Sequence, residues 1–147
     1  MNNWINGIQE AIEYIEANLT QNIKVKDVAE KAYVSEFHFQ RIFSALCGIS
    51  IAEYIRNRRM SLAAKELVTK DVKVLDVALK YGYDSPDSFT RAFTKFHGIT
   101  PSQAKESGVK LKDYAPVRIK LSLEGGTIME FKIEDIEDEV EEEVTFP

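Results

Sequence analysis

Apolar residues from Trp4 to Leu19 recur at three- and four-residue steps (Trp4, Ile8, Ala11, Ile12, Ile15, Leu19), with Glu10, Glu13 and Glu16 on the opposite side. This period predicts an amphipathic packing helix over residues 4–18. The longest helical pattern is Ser50 to Thr69. Ile51, Tyr54, Ile55 and Leu62 keep the spacing, Ala63, Ala64 and Leu67 widen the apolar face, and neither Gly nor Pro interrupts it. Ser50 and Glu53 predict a capping box, in which the serine side chain accepts from the third helical N–H and the glutamate reaches back to the serine N–H. At ~1.5 Å per residue this helix spans roughly 27 Å.

The segments on either side of it are two editions of one unit. Val25 to Gly48 predicts a short helix, a tight turn at Tyr33-Val34 and a longer helix capped by Ser35. Val74 to Gly98 repeats the plan: Val28 and Ala29 match Val77 and Ala78 at an offset of 49, and Phe39, Arg41, Phe43, Gly48 and Ser50 match Phe89, Arg91, Phe93, Gly98 and Thr100 at 50. The cap pair recurs as Thr100 and Gln103, with Pro101 at the first helical position, where its missing N–H costs nothing.

The second helix of each unit carries two stripes. Phe39, Ile42, Phe43 and Leu46, like Phe89, Ala92, Phe93 and Phe96, form core stripes at i, i+3, i+4 and i+7. The complementary stripes, expected to face outward, are Phe37, Gln40, Arg41 and Ser44 in the first unit and Asp87, Thr90, Arg91 and Thr94 in the second. Two short helices joined by a tight turn, the second with a polar stripe led by Arg, match the helix-turn-helix pattern whose second helix enters the major groove.

Beyond residue 107 the period changes. Val117, Ile119, Leu121 and Leu123 alternate with polar residues, Gly125-Gly126 turns the chain, and Met129, Phe131 and Ile133 alternate again, predicting a β-hairpin over about 116–133. The acidic run from Glu134 to Glu143 fits a solvated helix or a disordered tail. The expected fold is therefore all-α, two helix-turn-helix subdomains (about 25–48 and 74–98) joined by a helix over 50–69, with a short C-terminal β-hairpin and acidic tail. Residues 1–107 form one domain in this reading and 108–147 an extension.

A net charge of -5 argues at first against a nucleic-acid partner. The charge is unevenly placed, however. Residues 1–110 hold 15 Lys+Arg against 13 Asp+Glu, or +2, while 111–147 hold 4 against 11, or -7. The body is mildly basic, and the acidic tail could compete with phosphate for it. A single cysteine, Cys47, excludes an internal disulfide and a multi-cysteine zinc site, and reads as a packing residue. His38 and His97 lack metal spacing and read as surface or helix-end residues. No nucleophile-base pair or phosphate loop is visible, so no catalytic residue, metal or cofactor is expected. No apolar run is long enough to cross a membrane and no signal peptide is recognised, which together lead us to expect a cytoplasmic protein.

The run GYDSPDSFTRAFTKFHGITP, Gly82 to Pro101, is similar to the signature of the AraC/XylS family of bacterial transcription regulators, and SEFHFQRIFSALCGISIAEYIRNRRM, Ser35 to Met60, resembles the preceding half of the same module. The resemblance covers about residues 5 to 103. It implies an all-helical module whose recognition helices enter successive major-groove segments on one face of bent double-stranded DNA, and which contacts RNA polymerase to activate transcription. On this resemblance Phe37, Gln40 and Arg41 fall on the base-reading positions of the first recognition helix, and Ser88, Thr90 and Arg91 on those of the second. The chemistry agrees: Arg pairs with guanine O6/N7, Gln with adenine N6/N7, and an aromatic packs on a thymine methyl.

Ser44, Asp87 and Lys95 on the same helices, and Ser35 and Ser85 at their starts, join the DNA-binding set, since capped helix starts hold phosphates through backbone N–H groups. On the central helix Arg56, Arg58 and Arg59 are divided between phosphate contact and ordinary surface charge; Arg56 and Arg59 are included. Several residues depart from the family pattern. Asp87 places a carboxylate on the second stripe, where it could accept from cytosine N4 or simply repel phosphate; Pro86 removes an N–H, and Tyr33 stands where the second unit has Gly82. Lys24 and Lys73 replace capping residues, and Ala104-Lys105 replaces an aromatic-Arg pair. The extension resembles the opening of the effector-binding domain that some members append, but 37 residues after Lys110 are too few for one; a small-molecule effector is expected only with a further domain. The competing reading is a protein-interaction or antagonist module that binds RNA polymerase or another partner.

Overall fold

In a computed structural model of the chain, which describes residues 3–107, 111, 113–124, 127–135 and 140–144, the helical periods form α1 (Asn3–Ala17), α2 (Val25–Lys31), α3 (Glu36–Cys47), α4 (Ile51–Thr69), α5 (Val74–Lys80), α6 (Pro86–His97) and α7 (Pro101–Ser107). Three helices, α3, α4 and α6, start on a hydroxyl cap: Ser35, Ser50 and Ser85 accept from the N–H of His38, Glu53 and Ser88. The complete reciprocal box forms at α7, between Thr100 and Gln103. At α4 only the serine half is made among the described residues. Lys24 and Lys73 give α2 and α5 no side-chain cap bond.

The extension forms β1 (Arg118–Glu124), β2 (Thr127–Asp135) and β3 (Val140–Val144), antiparallel in the order β1-β2-β3. The hairpin thus starts two residues later than expected and ends two later; the expected turn at Gly125-Gly126 lies outside the described residues. Val140–Val144 is a strand, neither the helix nor the disordered tail expected of the acidic run, whose residues 136–139 also lie outside the described set.

Two cores share α4. The first gathers Ile8, Ile12, Ile15, Val28, Phe39 and Phe43 around Ile51, Tyr54 and Ile55; the second gathers Val77, Ala78, Tyr81, Phe89, Phe93 and Ala104 around Met60, Ala63, Ala64 and Leu67. Leu62 packs against both. A one-sided apolar face does not describe this helix, because Arg58, Ser61 and Glu66 are buried among the apolar residues. Glu16 receives Arg58 Nη2 at 2.7 Å, Arg58 Nε at 3.0 Å and the Tyr54 hydroxyl at 2.9 Å. In the second half Glu66 receives the Tyr81 hydroxyl at 2.5 Å and Lys80 at 2.8 Å. Burial alone would raise the Glu66 pKa; the bonds from Lys80 and Tyr81 and the charges of Lys80 and Lys70 outweigh it and hold the carboxyl below its ordinary value.

The chain after α7 straps back along α4. Leu111 packs on the second core, while Ala115 and Val117 are buried and Val117 joins the first. Tyr114 N–H donates to Ser61 Oγ at 2.6 Å, Arg58 Nη1 donates to the Tyr114 carbonyl at 2.5 Å, and Val117 N–H donates to the Tyr54 hydroxyl at 3.2 Å. The extension is therefore anchored on the helix that joins the two units.

The repeat persists in the turns. Tyr33 and Val34 donate to the Glu30 and Ala29 carbonyls as Gly82 and Tyr83 donate to those of Leu79 and Ala78. Both turns pass through the left-handed region, Gly82 at φ 87° and Tyr33 at φ 59°. A side chain there costs ~1–2 kcal/mol, and Tyr33, 83% exposed, recovers little of it by packing. Tyr33→Gly is expected to raise unfolding stability by about 1 kcal/mol, measured by urea denaturation; a loss would show that the ring packs in a way its exposure hides.

Candidate nucleic-acid interface

The buried phenyls at i and i+4 orient both second helices. Phe39 and Phe43 in α3, and Phe89 and Phe93 in α6, are fully buried with ring centroids 6.0 and 5.6 Å apart. The opposite face of α3 must then point to solvent. Phe37, Gln40, Arg41 and Ser44 are all exposed and line one open depression. The Arg41 guanidinium lies over the Phe37 ring, 5.6 Å from its centroid. A large aromatic left 65% exposed beneath a cation is a stacking platform that pre-orients the Arg fork.

In α6 the matching positions Asp87 and Arg91 are exposed, as is Lys95, and Thr90 is half-buried. Thr94, expected on the outward stripe, is half-buried with its hydroxyl oxygen buried and unbonded. The physical difference is in the neighbours: α6 packs against α4, α5 and α7, α3 against α2 and α4. Ser88 belongs to the cap. Its N–H donates to Ser85 Oγ at 3.2 Å and its hydroxyl donates to the Ser85 carbonyl at 3.0 Å, so the Ser-x-x-Ser spacing marks a cap before it marks a base contact. Ser35 and Ser85 both hold helix starts.

The three central arginines separate. Arg58 is buried in its pair with Glu16. Arg59 donates to the carbonyls of Leu19 at 2.9 Å and Gln21 at 2.7 Å, binding the turn after α1 to α4. Arg56 alone is exposed. Burial raises the Tyr83 pKa, and the charges of Arg56 and Arg59 oppose the rise. Both arginines thus act on the tyrosine that packs against Phe89 at 5.5 Å, just ahead of α6. Cys47 is half-buried and its thiol is pushed up to about 12 by desolvation, so it is no ready thiolate. His97 ends α6, with Nε2 3.0 Å from the Met60 carbonyl and its ring 4.4 Å from that of Phe93.

A family model described as a helix-turn-helix domain matches residues 28–107. The HTH-type transcriptional activator AarP of Providencia stuartii is 41% identical over 106 residues, which span 72% of this chain and 78% of that protein. The chain belongs to the AraC/XylS family. A transcriptional regulator of AraC type from Chromobacterium violaceum shares the fold, with a TM-score of 0.67 at 22% identity over 72% of this chain and 95% of that one. The DNA-binding domain of AdpA, solved with a target DNA, has a TM-score of 0.58 at 26% identity, covering 69% and 88%. As an AraC/XylS member the chain is a helix-turn-helix transcription regulator that binds DNA. Among the described residues no helix is long and apolar enough to cross a membrane.

The split between the arginines is measurable. Arg59→Ala is expected to cost about 1.5 kcal/mol of stability, while Arg56→Ala stays within about 0.5 kcal/mol, both by chemical denaturation. Equal effects would contradict the assignment of Arg59 to the Leu19–Gln21 turn.

Proposed function

We propose that the chain is a sequence-specific activator that binds as a monomer, Arg41 and Arg91 entering successive major-groove segments on one face of the duplex. Residues 1–107 are the DNA-binding domain and 108–147 an extension. Arg41 and Arg91 take guanine O6/N7, Gln40 takes adenine, and Phe37 packs on a thymine methyl. Thr90 faces the second half-site, while Ser88 supports it through the cap of α6. Ser44, Lys95, Arg56 and the capped starts at Ser35 and Ser85 hold phosphates and so position the protein without reading sequence. The observation that carries this reading is the repeat of one surface: an Arg at the same register of α3 and α6, exposed on the face opposite a fully buried phenylalanine pair.

Activation is supported by the similarity to AarP, a transcriptional activator, and RNA polymerase is the partner that activation would engage. Such a regulator works in the bacterial cytoplasm. A small-molecule effector would need a further domain.

The test is selection from a random DNA pool by the full chain at low salt, followed by a salt titration of the enriched site. One bipartite site should emerge, and affinity should fall steeply with salt, as expected for about six to ten phosphate contacts. Arg41→Ala should cost about 1–3 kcal/mol and relax selection at one base position. Loss equal on all sequences would make Arg41 a phosphate contact, and no enriched site would refute the proposal.

A further inference from the structure

The two recognition helices are alike in plan and opposite in one residue. Ser85, Asp87 and Arg91 repeat Ser35, Phe37 and Arg41 at an offset of 50. Four residues before the arginine, α3 carries an aromatic ring under the guanidinium and α6 carries a carboxylate. Among the described residues that carboxylate has no ion-pair partner. The start of α6 is capped by Ser85 with Ser88, and the ion pairs among the described residues join Glu16 to Arg58 and Glu66 to Lys70 and Lys80. Asp87 and Arg91 stand at a spacing that commonly pairs on a helix, yet are not within 4.0 Å. Both side chains are exposed on one side of α6.

We propose that Asp87 reads a cytosine in the second half-site, which makes the half-sites chemically unlike and the bound site directional. The inference rests on the DNA-reading role of α6 proposed above. In the major groove cytosine presents the N4 amino donor, which only an acceptor can meet. An ionised Asp is acceptor-only, whereas its neighbours Arg91 and Lys95 only donate. One helical turn is ~5.4 Å and one base-pair step ~3.4 Å, so the Arg91 guanine and the Asp87 cytosine lie within one or two steps of each other. Selection at this position is sharpened by its failure mode: any base without a donor there leaves a desolvated carboxylate unpaired among phosphates. Phe37, at the same place in the first half-site, makes an apolar contact that tolerates more sequences.

The experiment selects full-length wild type, Asp87→Asn and Asp87→Ala from a pool with the first half-site fixed and the second randomised, with thermal denaturation of each protein alongside. Wild type should enrich one cytosine, and Asp87→Asn should move that position to adenine, since Asn pairs with N6/N7. Asp87→Ala should lose about ten-fold or more of its discrimination there. Unfolding temperatures should stay close to wild type, because an acidic residue in the first turn adds only a small helix-dipole stabilisation. Uniformly higher affinity of the Ala variant with unchanged base selection would overturn the proposal, making Asp87 a phosphate repeller. So would an unchanged base preference at that position in a folded Asp87→Asn variant. A wild-type pool with no enriched second half-site would instead remove the role of α6, and this proposal with it.

Discussion

One helix has to serve two hydrophobic cores, and the rest of the molecule follows from that. Ile51, Tyr54 and Ile55 belong to the first core and Met60, Ala63, Ala64 and Leu67 to the second. The junction between them falls at Arg58, a buried cation in the middle of α4. Burying a charge is costly unless it is paired and its remaining donors are bonded. Glu16, the Tyr114 carbonyl and the Tyr54 hydroxyl on Glu16 meet that condition together. The same network that satisfies the guanidinium therefore sets the register of α1 on α4 and pins the strap after α7. Each half has its own glutamate, the half-buried Glu16 or the buried Glu66, bonded to a tyrosine and a cation.

Because both cores close on one continuous helix, the positions of α3 and α6 are not independent. Neither unit can turn without unpacking its half of α4. Nineteen helical residues extend about 27 Å, less than the ~34 Å between groove segments one turn apart on straight DNA. If Arg41 and Arg91 enter neighbouring groove segments as proposed, the difference would be met by bending the duplex, which costs free energy that depends on sequence and so adds selection at bases no side chain touches. Shape is common to the two units while surface chemistry is not: an aromatic platform under Arg41, a carboxylate beside Arg91.

Much of this was legible in local periodicity. The seven helices, the repeat, the hydroxyl caps and the Phe39/Phe43 and Phe89/Phe93 pairs each depend on residues within one or two turns, and local spacing records them. What was not legible depends on partners far away in the chain. Arg58 continues the apolar stripe of Ile51, Tyr54 and Ile55, a sign of burial, but Glu16, which neutralises it, is 42 residues distant. Arg59 looks the same in sequence as Arg56 until the turn after α1 is folded against it. The strap at 113–117 has no period at all. Ser88 was an exception, since its cap bonds to Ser85 lie within three residues and the Ser-x-x-Ser spacing could have shown them; the half-burial of Thr94 is not recorded in its place on the polar stripe.

The central claim is rigidity: the separation of Arg41 and Arg91 is set by α4 and not by a flexible linker. It is tested most directly by measuring affinity for the selected bipartite site as the half-sites are moved apart by about five and about ten base pairs. A rigid spacer predicts that both insertions reduce binding to the level of a single half-site, because the ten-base-pair insertion restores the face of the duplex but not the distance. Recovery of affinity at ten base pairs would contradict the account.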